Sequence, residues 1–191
     1  MTALDWSRDG AHWPHRDASR FVDAGGCRWH VQVHRGGPAQ PVVWLLHGTG
    51  AASHSWRGLV GLLAPHATLV VPDLPGHGFS GPLPQPSMPA MAQALAALAT
   101  ALALPPTVLL GHSAGAALAL RATLDGLLAP TQLVPAAVPV EPRLLGAEAP
   151  LASSLIAFTL PLLADKELHL DASRALRRVA RRASRQGPPS R

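Results

Sequence analysis

The chain has 191 residues, 48% of them apolar and 14% charged, which suits one globular domain and excludes an intrinsically disordered chain. Its net charge of +5 is uneven: residues 166–191 carry eight basic and two acidic side chains, whereas the preceding 165 carry eight basic and nine acidic. The body is therefore near neutral, which argues against nucleic acid as a partner.

In chain order, residues 19–24 (SRFVDA) and 27–35 (CRWHVQVHR) alternate polar and apolar positions around Gly25-Gly26, which predicts a β-hairpin. His30 and His34 share one face of its second strand and read as a surface pair rather than a metal site. VVWLL (42–46) is a continuous apolar run, the pattern of a strand covered on both faces. A helix is expected over 54–64, capped by Ser53 or Ser55. ATLVVPD (67–73) is the next buried strand, 82–89 a proline-rich loop, and 90–104 an Ala/Leu-rich helix. TVLLG (107–111) is a third buried strand, and 114–128 returns to helix with Gly126 near its end. A hairpin followed by this alternation implies an α/β fold with a mainly parallel sheet. Ligands in such sheets bind at the carboxyl ends of the strands.

Three motifs sit at those ends. Gly111-His112-Ser113-Ala114-Gly115 is a G-x-S-x-G sequence between a strand and a helix, the context of a nucleophile elbow that exposes the serine oxygen above the sheet. His47-Gly48-Thr49-Gly50 follows the first buried strand. Acyl transfer needs two backbone N–H donors aimed at the oxyanion, and the amides of Ala114 and Thr49 are the candidates. The third motif, Asp73-Leu74-Pro75-Gly76-His77-Gly78-Phe79-Ser80, reads as a structural turn. His47, Gly48, His54, Trp56 and His112 are expected to rim the pocket, while core packing is the default for the five tryptophans.

These motifs, in this order, resemble the α/β-hydrolase superfamily. Trp13-Pro14-His15-Arg16, Ser19-Arg20-Phe21-Val22 and Arg28-Trp29-His30-Val31-Gln32, with HGTGAASHSW (47–56), DLPGHGFS (73–80) and GHSAGAALALRATLDG (111–126), resemble one subfamily. It is the magnesium-chelatase accessory family of bacteriochlorophyll biosynthesis, and the resemblance covers residues 5–130. It implies an α/β-hydrolase fold and an accessory role in magnesium insertion. It also implies a tetrapyrrole or an unknown small molecule as ligand, and a magnesium chelatase subunit as partner.

The triad is where the pattern fails. In this fold the acid and then the histidine follow the serine. After Ser113 the chain holds one histidine, His169, with Asp165 and Asp171 beside it. Asp165 and His169 are four residues apart on an expected helix, so they share a face. No strand pattern delivers them to the pocket, and His169 is a weak candidate for the base. From residue 131 the strand-like pieces are QLV (132–134) and SLIAFTL (154–160), followed by a basic amphipathic pattern over 168–183.

The expected organisation is the front half of an α/β-hydrolase domain over 1–130, truncated after the nucleophile helix, and an atypical tail over 131–191. That tail reads as a stretch out of its natural frame, as a basic amphipathic helix on an anionic membrane or partner, or as a solvated C-terminal helix. The scarcity of Lys and Ile and the lack of Asn and Tyr indicate a GC-rich gene, in which a shifted frame runs long. The single cysteine, Cys27, and an opening stretch without an apolar signal segment point to a cytoplasmic protein. No stretch is long and apolar enough to span a bilayer. The ten histidines show no H-E-x-x-H or Cys/His spacing, so neither a metal nor a cofactor is expected. Three roles stand side by side: an accessory protein of acyl-transfer ancestry with an incomplete triad, a tetrapyrrole- or chelatase-binding module without turnover, and a generic intracellular serine esterase.

Overall fold

The structure is a computed structural model that describes residues 4–136; the expected helix over 168–183, the SLIAFTL segment and His169 lie outside the described residues. The hairpin forms as β1 (Ser19–Ala24) and β2 (Cys27–His34), with Gly25 and Gly26 both at positive φ in its turn. The other strands are β3 (Val42–Leu46), β4 (Thr68–Pro72), β5 (Val108–His112) and β6 (Gln132–Ala136). They build one six-stranded sheet in the order β1-β2-β4-β3-β5-β6. β4, β3, β5 and β6 run parallel, and the hairpin joins antiparallel along β4. The sheet thus extends one strand past the expected break, because residues 132–136 pair with β5 in the register Val108↔Gln132 to His112↔Ala136.

The continuous apolar runs are explained by burial on both faces. In β3, Trp44 and Leu46 point to one core, with Leu95 and Leu98 of α3 (Met88–Leu102) and Leu118 of α4 (Ala114–Leu124). Val43 and Leu45 point to the other, with Val60 of α2 (Arg57–Leu63). Each fully buried side chain of this size contributes about 1.5–3 kcal/mol. The chain leaves β3 for α2 on one face and leaves the neighbouring β5 for α4 on the other. Adjacent strands whose connections diverge in this way open a crevice at their carboxyl ends, and here that crevice lies between His47 and Ser113.

Four local expectations are corrected. Neither Ser53 nor Ser55 caps α2, which is preceded by a 3-10 turn (Ser53–Trp56) with no side-chain cap. α3 starts two residues early, because the Ser87 hydroxyl accepts from the Ala90 amide and Pro89 sits in the first turn, where its missing N–H costs nothing. α4 stops at Leu124, where the chain turns through Asp125 and Gly126, the latter at φ 68°. His30 and His34 do not pair on the surface, since residues four apart on a strand are separated by roughly 13 Å. His30 is fully buried, and His34 packs against His15 at 5.1 Å between ring centroids.

Candidate active site

Ser113 sits between the last residue of β5 and the first of α4, with φ 52° and ψ −117°. A non-glycine residue there is strained, and the strain turns the chain so sharply that Ser113 is exposed. Its carbonyl accepts from the amides of Ala116 (2.9 Å) and Ala117 (3.2 Å), which locks it to the first turn of α4. The flanking glycines are steric requirements. A Cβ on Gly111 would lie 2.5 Å from the Ala116 amide nitrogen, and one on Gly115 would collide with the carbonyl oxygen of Leu46.

The loop after β3 approaches the elbow closely. A Cβ on Gly48 would lie 3.1 Å from the Ser113 Cβ and 3.0 Å from His112 Nδ1. No described hydrogen bond uses the amide of Thr49 or of Ala114. Both remain available as donors beside the serine, and the N-terminus of α4 adds a favourable field for negative charge.

His47 lies at the start of this loop and is buried. Its Nδ1 donates to the Gly48 carbonyl (2.8 Å), and its Nε2 accepts from the Leu74 amide (2.9 Å). Burial lowers its pKa, which keeps the ring neutral, as these two bonds require. The ring has no nitrogen left for a ligand, so its part in the site is to hold the loop. Ser53, at the far end, is buried; its amide donates to Asp73 Oδ1 (2.6 Å) and its hydroxyl accepts from the Trp13 indole (3.1 Å).

Asp73 is the residue that the sequence undervalued. It is fully buried, and its Oδ2 accepts from His30 Nδ1 (2.8 Å) and the Phe79 amide (2.9 Å). Burial pushes this carboxyl up, but the hydrogen bond and attraction of His30 and the two amides outweigh it, leaving it below its ordinary value. Ser53 and His30 lie 20 and 43 residues away in sequence, so no local pattern could have joined them to Asp73; Phe79, six residues on, is the local partner.

The other expected pocket residues spread out. His112 is half-buried beside Gly48, with its pKa lowered by burial and no partner for Nε2. His54 packs on Trp13 at 5.0 Å, and Trp56 packs against the α2-side core; His54 Nδ1 and Trp56 Nε1 are buried without partners. Among the described residues the acid after Ser113 is Asp125, paired with Arg121 at 2.7 Å, and no histidine follows. No group of three metal-ligating side chains and no helix long and apolar enough to cross a membrane occurs among the described residues.

Comparison with known proteins agrees with this geometry. A family model described as the alpha/beta hydrolase fold matches residues 41–183. The magnesium-chelatase 30 kDa subunit of Rhodobacter capsulatus is 39% identical over 117 residues, which cover 60% of this chain and 41% of that protein. A pimeloyl-[acyl-carrier protein] methyl ester esterase of Xylella fastidiosa is 40% identical over 94 residues, covering 49% and 34%. Among solved structures, an N-formylmaleamic acid deformylase of Pseudomonas putida superposes with a TM-score of 0.55 at 29% identity, over 61% of this chain and 45% of that one. An α/β hydrolase of Nostoc gives 0.56 at 27%, over 63% and 43%. The chain thus spans less than half the length of these relatives.

Proposed function

Because the chain belongs to the α/β-hydrolase fold family, we propose that Ser113 is an acyl-transfer nucleophile by descent. The amides of Ala114 and Thr49 form its oxyanion hole, and the protein serves as an accessory to magnesium insertion in bacteriochlorophyll synthesis. The chemistry is carried by one observation, the strained exposed Ser113 with Gly48 packed against it. The setting is supported by the likeness to the magnesium-chelatase subunit; the partner proposed is a chelatase subunit, and the ligand proposed is a tetrapyrrole. Among the described residues no histidine follows Ser113; a serine that lacks a base is an ordinary hydroxyl, and oxyanion donors alone give only residual catalysis.

The test is a fluorophosphonate probe combined with a porphyrin titration. Expected are slow labelling of Ser113 and saturable quenching of tryptophan fluorescence by protoporphyrin. Rapid stoichiometric labelling, lost in both Ser113→Ala and His169→Ala, would instead give the chain a working triad with His169 as base. A second reading, hydrolysis of a carboxylic ester, is favoured by the likeness to the methyl ester esterase. Sustained turnover of p-nitrophenyl acetate without porphyrin binding would establish it. For the tail, the proposal is a shifted frame: the DNA downstream of codons 125–165, translated in the other forward frames, should encode further strand–helix units with an Asp or Glu and then a His. Early stops in both frames would refute it.

A further inference from the structure

We infer that His30, through Asp73, is a positioning residue for the loop that carries the Thr49 amide, an inference that rests on the oxyanion reading above. The loop is clamped at both ends by two consecutive residues. The Leu74 amide holds His47 Nε2 at its start (2.9 Å), and the Asp73 carboxylate holds the Ser53 amide at its end (2.6 Å). Thr49 lies between these clamps. Asp73 can keep one oxygen on Ser53 only if its carboxylate is fixed, and its other oxygen is held by His30 Nδ1 and the Phe79 amide. The His30 backbone amide donates to the Ser80 hydroxyl (2.9 Å), which in turn donates to the Asp73 carbonyl (2.7 Å), and the Asp73 amide donates to the His30 carbonyl (2.9 Å), so two backbone routes join β2 to this corner and the imidazole adds the one that reaches the carboxylate.

The surroundings of His30 argue against simple packing. The ring is enclosed by Trp6 (4.9 Å), Phe21 (5.4 Å), Phe79 (5.5 Å) and Trp13 (6.3 Å), and its Nε2 is buried with no partner. An aliphatic side chain would fill such a cage without the cost of an unsatisfied nitrogen. What imidazole supplies and leucine would not is the hydrogen bond to Asp73. Trp13 belongs to the same device, because it covers His30 and donates its indole N–H to the Ser53 hydroxyl (3.1 Å).

The test is amide hydrogen exchange on the full chain, read by mass spectrometry, with Ser113 labelling by a fluorophosphonate alongside. In His30→Leu, exchange over 47–56 should rise about tenfold or more while β3 and β5 exchange as in the wild type. His30→Asn, whose amide can replace the Nδ1 donor, should restore slow exchange. Trp13→Phe keeps an aromatic ring, a smaller one, and removes the bond to Ser53, so it should raise exchange a few-fold over the same segment; it serves if His30→Leu does not fold. A uniform rise across the sheet, or no rise over 47–56, overturns the inference. If loop exchange rises while labelling is unchanged, the positioning inference stands and the oxyanion role of Thr49 falls.

Discussion

The elbow at 111–115 and the loop at 47–53 meet within contact distance, yet different forces hold them. The elbow is shaped by exclusion: Gly111 and Gly115 leave no space for a Cβ, and Ser113 is forced to φ 52° by backbone packed around it. Apart from Gly48, where it touches the elbow, the loop is shaped by attachment, through hydrogen bonds with Asp73, Leu74 and Trp13 of other elements. A sterically set turn is local and tolerates nothing larger than hydrogen. A turn set by attachment depends on distant groups and loosens by degrees when one is lost.

The sharpest way to break this contrast is Gly115→Ala. Its new methyl would meet the Leu46 carbonyl oxygen, which is fixed in the sheet. Destabilisation of about 3 kcal/mol is expected, read as a shift in the urea midpoint. Gly50→Ala is the control on the loop. Gly50 has φ 74° and nothing within 4 Å of a Cβ, so only the backbone penalty of about 1–2 kcal/mol applies. Equal losses at the two sites would show that the elbow is no more crowded than the loop.

The same contrast explains what could be read from the sequence. Glycine spacing after an apolar run marks a steric turn, so the elbow was visible in five residues, and so were β1 to β5, whose apolar patterns are local. QLV (132–134) had the strand pattern, but nothing in it named β5 as its neighbour. The turns over 6–18 have no period, so the anchoring of Trp13 on Ser53 was unreadable. His30 looked like half of a surface pair because alternation locates a face and not what covers it. Here Trp6, Phe21 and Phe79 cover it.

A smaller effect should appear in the pH dependence of stability. Burial lowers the folded pKa of His47, so the unfolded chain takes up a proton first as pH falls. Its stabilising contribution is therefore complete above the unfolded value, near pH 6.5, and is lost as pH drops toward the folded one. His34 and His112 are lowered by burial too and act in the same direction. Asp73, also lowered, contributes above its unfolded value and loses that contribution as pH falls below about 4. The urea midpoint should decline in two steps, one below pH 6.5 and one below pH 4. His112→Gln should remove only part of the first. If it removes all of it, His47 does not hold the loop as a neutral ring.

Ser113→Gly should have the smallest effect, with a sign opposite to the others. The backbone of Ser113, at φ 52° and ψ −117°, costs a non-glycine residue about 1–3 kcal/mol and costs glycine little. Glycine also adds freedom to the unfolded chain, which takes back about 0.5–1 kcal/mol. The hydroxyl has no described hydrogen bond to lose. A net gain of about 1 kcal/mol is expected in the glycine variant, whereas Ser113→Ala keeps the strained φ and should match the wild type to within about 0.5 kcal/mol. The pair separates backbone strain from side-chain chemistry. A glycine variant less stable than the alanine variant would mean that the elbow is relaxed, and the steric half of the comparison would then fail.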